Sequence, residues 1–211
     1  MHKESSGFGD HAVATLQANA SIPEGMGIDG HYHVVCHDKD GNLLWEEGFP
    51  NLVVAVGKQL LLDTLLRTSG TYTTVGPFLG LISNSTTFAA ADTMTSKTWT
   101  ELTTYTVGGS GVRGTAVFSA STSSGTTPSN VTTSTATSIT YTMTGSATVY
   151  GCFLVTGSGA VSTLSSTAGT LYSEGNFSTS KTVTSGDTVT VTYSTTATSR
   201  SEEHTSELQS H

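Results

Sequence analysis

The sequence predicts a mainly β protein: an antiparallel β-sandwich, jelly-roll-like, with one helix at about residues 51–67. Three observations carry that prediction. The chain is only 11% charged and 35% hydrophobic, with Thr, Ser and Gly filling most of the rest; Thr suits a pleated surface, while Gly and Ser suit tight turns. Short runs alternate apolar and polar residues, the period of half-buried antiparallel strands. Turn signals separate roughly nine such runs, the spacing of a sandwich. Disorder would need few apolar residues and a high net charge, and charge here is sparse.

Residues 1–28 mix Gly, Ser, Ala and charges without a period and read as an extended N-terminal arm. The stretch "HYHVVCHDKDGNLLWEEGF" (31–49) is two strands around Asp38–Asn42, where Gly41 can take positive φ without steric cost. "PNLVVAVGKQLLLDTLLRTSG" (50–70) is the helix, with Asn51 as N-cap and Gly70 as stop. Gln59, Asp63 and Arg67 stack on its polar face, so Leu61, Leu62, Leu65 and Leu66 are expected to face a core. Strands follow at 77–83, 99–106, 114–121, 138–144, 147–156, 169–178 and 187–196. The Ser/Thr/Gly/Pro stretch 121–137 reads as a long loop. Residues 29–198 thus form one domain, long enough for a real core.

Charge and composition narrow the function. The net charge is −8 and the eight basic residues are scattered, so no nucleic-acid partner is expected. No apolar run reaches the roughly 18 residues of a membrane span, and the N-terminus shows no secretion signal. Cys36 and Cys152 lie within strands and read as buried free thiols of a protein made in a reducing cytoplasm.

Few residues look chemical. His31 and His33 project from one strand face and are weak metal candidates; Cys36 points to the opposite face and His37 lies close to the turn. "DKDGN" resembles a calcium loop, but counting from Asp38 puts Leu43 and Phe49 where Gly and Glu are needed. "GSGVRG" (109–114) fits G-x-G-x-x-G but precedes a strand, not the helix that would offer amides to a phosphate. Glu46 and Glu47 face opposite ways on a strand, and the G-x-S-x-G of a nucleophile elbow is absent. Residues 114–173 contain no Asp, Glu, Lys or Arg. The expectation is a non-enzymatic chain with no catalytic residue and no cofactor, its surface suited to packing against other protein chains.

"NLVVAVGKQLLLDTLL", "GPFLGLIS", "GCFLVTGSG" and "GTLYSEGNFS…KTVTSGDTVTVTY", spanning about 31–196, resemble a group of tailed-bacteriophage structural proteins. The resemblance implies a virion component synthesised in the host cytoplasm. Its leading form is a capsid decoration or cement protein bound across subunits of the major capsid protein, as a homo-oligomer that could be a trimer. The alternative is a tail, neck or fibre component. No catalytic residues come with the resemblance. The last segment, "RSEEHTSELQSH" (200–211), resembles the in-frame translation of a common sequencing-library adapter; 199–211 is therefore read as a non-native tail and left out of the fold.

Overall fold

In the computed structural model, which describes residues 26–66, 75–122, 129–131 and 139–199, the chain opens with the expected hairpin. β1 (Met26–His37) and β2 (Leu43–Pro50) pair antiparallel. Asp38 closes the turn by exchanging backbone hydrogen bonds with Gly41 and Asn42, and Gly41 sits at φ 86°, where a side chain would be strained. β1 takes in 26–28, the end of the expected arm. Residues 1–25 and the adapter-like 200–211 lie outside the described residues.

The helix differs from expectation at its start and in its buried face. Pro50 ends β2, and Leu52–Val53 forms a short strand, β3, so α1 runs Ala55–Leu66. Asn51 does not cap it. Its side-chain amide donates to Tyr193 Oη at 3.0 Å, and its N–H to Gly30 O at 3.1 Å. The first helical N–H, of Ala55, instead donates to the carbonyl of Ala90 at 2.8 Å; a neighbouring backbone does the work of a capping side chain. The expected stop, Gly70, and Arg67 lie outside the described residues.

Three of the four leucines expected to face the core turn away from it, and the side chain of Leu65 lies outside the described residues. Leu61, Leu62 and Leu66 are 36%, 49% and 70% exposed. The contact face is set by Gly57, where a Cβ would lie 2.5 Å from Tyr172 O, and by Leu60, which packs on Gly157. At 3.6 residues per turn, Leu62 and Leu66 lie about 140° and 180° around the helix from Gly57.

The remaining strands are β4 (Phe78–Ile82), β5 (Tyr105–Thr106), β6 (Gly114–Thr115), β7 (Ser129–Val131), β8 (Ile139–Met143), β9 (Ala147–Thr156), β10 (Thr170–Val183) and β11 (Thr188–Ser199). Two expected strands shrink. From 99–106 only Tyr105 and Thr106 join a ladder strand, because Trp99 is drawn under a turn-rich segment into a core of its own. From 114–121 only Gly114 and Thr115 do. Conversely, the expected loop 121–137 contains β7, which pairs with Ser194–Thr196 of β11.

Two antiparallel sheets result. The first runs β2-β1-β11-β8-β5, with β7 and β8 sharing one edge of β11; the second runs β3-β10-β9-β4-β6. They pack face to face as a β-sandwich. Alternation sends Tyr32, Val34 and Cys36 of β1, Ile139, Tyr141 and Met143 of β8, and Val189, Val191 and Tyr193 of β11 into the shared core. Two phenols tie the sheets together: Tyr141 Oη donates to Leu79 O at 2.9 Å, and Tyr32 Oη lies 2.8 Å from Ser173 Oγ.

The second sheet is buried on both faces. Cys152 and Leu154 of β9 enter the inter-sheet core, whereas Phe153 and Val155 enter a second core with Ile82, Met94, Trp99 and Leu171. This explains the unbroken apolar run "GCFLV", since a strand covered on both sides has no polar face. The second core is roofed by the segment between β4 and β5.

Candidate functional site

The open face of the first sheet carries the residues the sequence singled out. His31, His33, Val35 and His37 project outward from β1, opposite in register to Ser194, Thr192, Thr190 and Thr188 of β11. Thr140 and Thr142 of β8 continue the row beyond β11, and the Thr140 and Thr190 hydroxyls lie 3.2 Å apart. Glu46 and Gly48 of β2 flank it on the other side, both exposed. The face is therefore a Thr/Ser/His lattice, and the alternate residues that point inward beneath it from β1, β11 and β8 belong to the core.

The histidines do not converge on a third ligand. His33 Nε2 lies 2.7 Å from Glu46 Oε1, an imidazole donating to a half-exposed carboxylate. His31 lies over Gly48, where a Cβ would meet its ring at 2.7 Å. Among the described residues, no group of three or more His, Cys, Asp or Glu is placed to hold a metal. Cys36 points inward and is buried, and burial pushes its thiol up to about 12. Cys152 is also free and buried, its thiol raised by burial.

The other motifs resolve into structure. Asp38 Oδ1 accepts the N–H groups of Asp40 and Asn42 at 2.9 and 2.8 Å, and Oδ2 accepts from the Asn42 side-chain amide at 2.8 Å. The Asn42 bonds hold its carboxyl below the usual range; the acids build a turn. Glu46 and Glu47 do face opposite ways. Glu47 turns inward to Lys181 at 2.7 Å and accepts the Ser178 N–H at 2.7 Å. Burial works to raise its carboxyl, but Lys181 and Ser178 outweigh it and hold it low. In "GSGVRG", Gly109 sits at φ 82° in a tight turn, Val107 and Ser110 exchange backbone bonds, and β6 follows.

Two buried polar clusters were not anticipated. Arg113, the Arg of that motif, turns inward to Glu101, with both side chains almost fully buried. Glu174, fully buried on β10, accepts the Trp99 indole N–H at 2.6 Å beside Asp92. One signal was available in each case: charges are so few that a lone Arg or Glu within an apolar context needs a partner.

No helix among the described residues is long and apolar enough to cross a membrane. No family model matches the chain, and neither a curated protein nor a solved structure is detectably similar to it.

Proposed function

We propose that this chain is a non-enzymatic structural protein of a bacteriophage virion, a capsid decoration or cement protein. The observation that carries the reading is the open face of the first sheet: the hydroxyls of β11 and β8 beside the histidines of β1, bordered by β2, with two acids, Asp29 and Glu46, on it and His33 beside Glu46. Such a face can form many hydrogen bonds to another protein while desolvating few full charges. Laid across a seam between major capsid protein subunits, it would stabilise the shell by touching several subunits at once. The sequence resemblance across 31–196 supports the same reading.

A second reading, a tail, neck or fibre component, is favoured by the exposed Leu62 and Leu66 of α1. Apolar residues on the far side of a helix suit stacking of like subunits better than contact with one flat shell.

Quantitative mass spectrometry of purified virions separates these. Hundreds of copies, comparable to the major capsid protein, are expected for a decoration. A handful to a few dozen would assign the chain to tail, neck or fibre, and absence from the particle would overturn both.

A further inference from the structure

We propose that the carboxyls of Glu174 and Asp92 share one proton, forming a pH-sensitive latch that holds segment 83–104 over the outer face of the second sheet. The device stands on geometry independent of the functional reading above. Glu174 is 0% exposed and Asp92 only 7%. Glu174 projects from β10 into the second core, where Oε2 accepts the Trp99 indole N–H at 2.6 Å. Its other oxygen, Oε1, is buried and has no donor among the described residues. The hydrogen-bonding neighbour that remains is the Asp92 carboxyl, whose Oδ2 already accepts the Ala89 N–H at 2.9 Å.

Two ionised carboxylates cannot sit side by side in such a place without a counter-charge. The surroundings offer little. Lys97 donates to Met94 O at 3.1 Å, lies 4.7 Å over the Trp99 ring, and is itself held low by burial. Arg113 is committed to Glu101 in a bidentate pair. The strands flanking Glu174 present Leu52 and Phe153 at its register, and on the inter-sheet side the Tyr32 phenol is raised first by burial and, less, by the charge of Glu174 itself. A proton on Glu174, donated to Asp92, removes one of the two charges and gives Oε1 its hydrogen bond. Burial first, and then Asp92, push the Glu174 carboxyl up to about 8.

The latch reaches beyond the pair. Asp92 lies two residues past Ala90, whose carbonyl satisfies the first N–H of α1. A second tie runs from the Asn176 side-chain amide to Thr86 O at 2.9 Å. Loss of the shared proton sets Asp92 against Glu174 and loosens segment 83–104 together with its hold on the helix. The folded carboxyl is raised above its ordinary value of 4.5, so its contribution is complete below that pH and is lost as pH rises through about 8.

The test is thermal unfolding and tryptophan fluorescence of the full chain from about pH 5 to about pH 9, alongside Glu174→Gln and Asp92→Asn. The wild type is expected to lose Tm across this range and to show a fluorescence step with a midpoint near 8. Glu174→Gln, neutral throughout and still able to donate to Asp92, is expected to abolish the step and flatten the Tm profile. Asp92→Asn is expected to move the midpoint down, and serves if the first variant fails to fold. A wild-type profile as flat as that of Glu174→Gln, or a midpoint unmoved in Asp92→Asn, would overturn the proposal. So would millimolar calcium restoring Tm at the alkaline end in the wild type but not in Asp92→Asn, because the pair would then be a cation site.

Discussion

Arg113 clasps Glu101 with two parallel hydrogen bonds, Nε to Oε1 at 2.8 Å and Nη2 to Oε2 at 2.7 Å, where the arginine side chain is 0% and the glutamate 3% exposed. Two further guanidinium donors reach backbone carbonyls. Nη1 donates to Val161 O at 3.2 Å, and Nη2 to Ser166 O at 2.6 Å. Glu101 Oε2 in turn accepts the N–H of Ser165 at 2.7 Å, and Ser165 is held at φ 60°. One ion pair thus fixes the 157–169 connection, including its one described non-glycine residue with positive φ.

Removing one partner should therefore cost far more than removing both. Arg113→Met alone strands a buried carboxylate and is expected to lose about 3–5 kcal/mol; Arg113→Met with Glu101→Leu should recover much of that. Urea unfolding of the two variants checks this, and equal losses would show that packing rather than charge controls the site.

Gly151 of the second sheet is placed by close approach of a neighbouring backbone. A Cβ on Gly151 would stand 2.0 Å from Gly175 O, whereas one on Gly145 meets nothing within 4 Å. Gly151→Ala is expected to destabilise by about 1–3 kcal/mol or more through strand displacement. Gly145→Ala should stay within about 0.5 kcal/mol of wild type. Denaturant midpoints at constant m-value distinguish the two.

The orientation of α1 yields a direct contrast. Leu62→Gln and Leu66→Gln should change stability by no more than about 0.5 kcal/mol, while Leu79→Ala in the inter-sheet core should cost about 2–5 kcal/mol. A large loss at Leu62 would mean that its side of the helix is covered in solution.

Neither thiol should react in the native state. Burial raises both, Cys36 up to about 12, and the thiolate is the reactive form. A disulfide reagent added at mildly alkaline pH is expected to label nothing until denaturant is added, after which both cysteines react. Fast labelling of native protein would contradict the burial of β1 and β9.

Much of this architecture was legible in the chain. Period-two alternation located β8 and β11 and their inward residues, and Asp38–Asn42 located the first hairpin. The helix was found but misread, because periodicity ranks side chains by hydrophobicity and cannot see that a backbone approaches at Gly57. A glycine inside a helical pattern was the available clue. Segment 99–106 alternates like a strand, yet Trp99 finds more burial beneath a turn than in a ladder, a choice made by tertiary packing. The histidine pair was placed correctly on one face, but proximity to Glu46 depends on register with β2. The clusters around Arg113 and Glu174 join residues far apart in sequence, and no local pattern announces them.

The pairing of β1 with β11 along its whole length, Met26 opposite Ser199 and His37 opposite Thr188, governs how the molecule is made. β11 is the axis of the first sheet, since β1, β7 and β8 all bond to it, and it is the last of these strands to leave the ribosome. The earlier strands must wait for it with their ladder edges open. Contacts of such long sequence separation fold slowly and leave a nascent chain prone to aggregation. The yield of native protein should therefore depend on temperature and chaperone supply during translation more than on the stability of the finished sandwich.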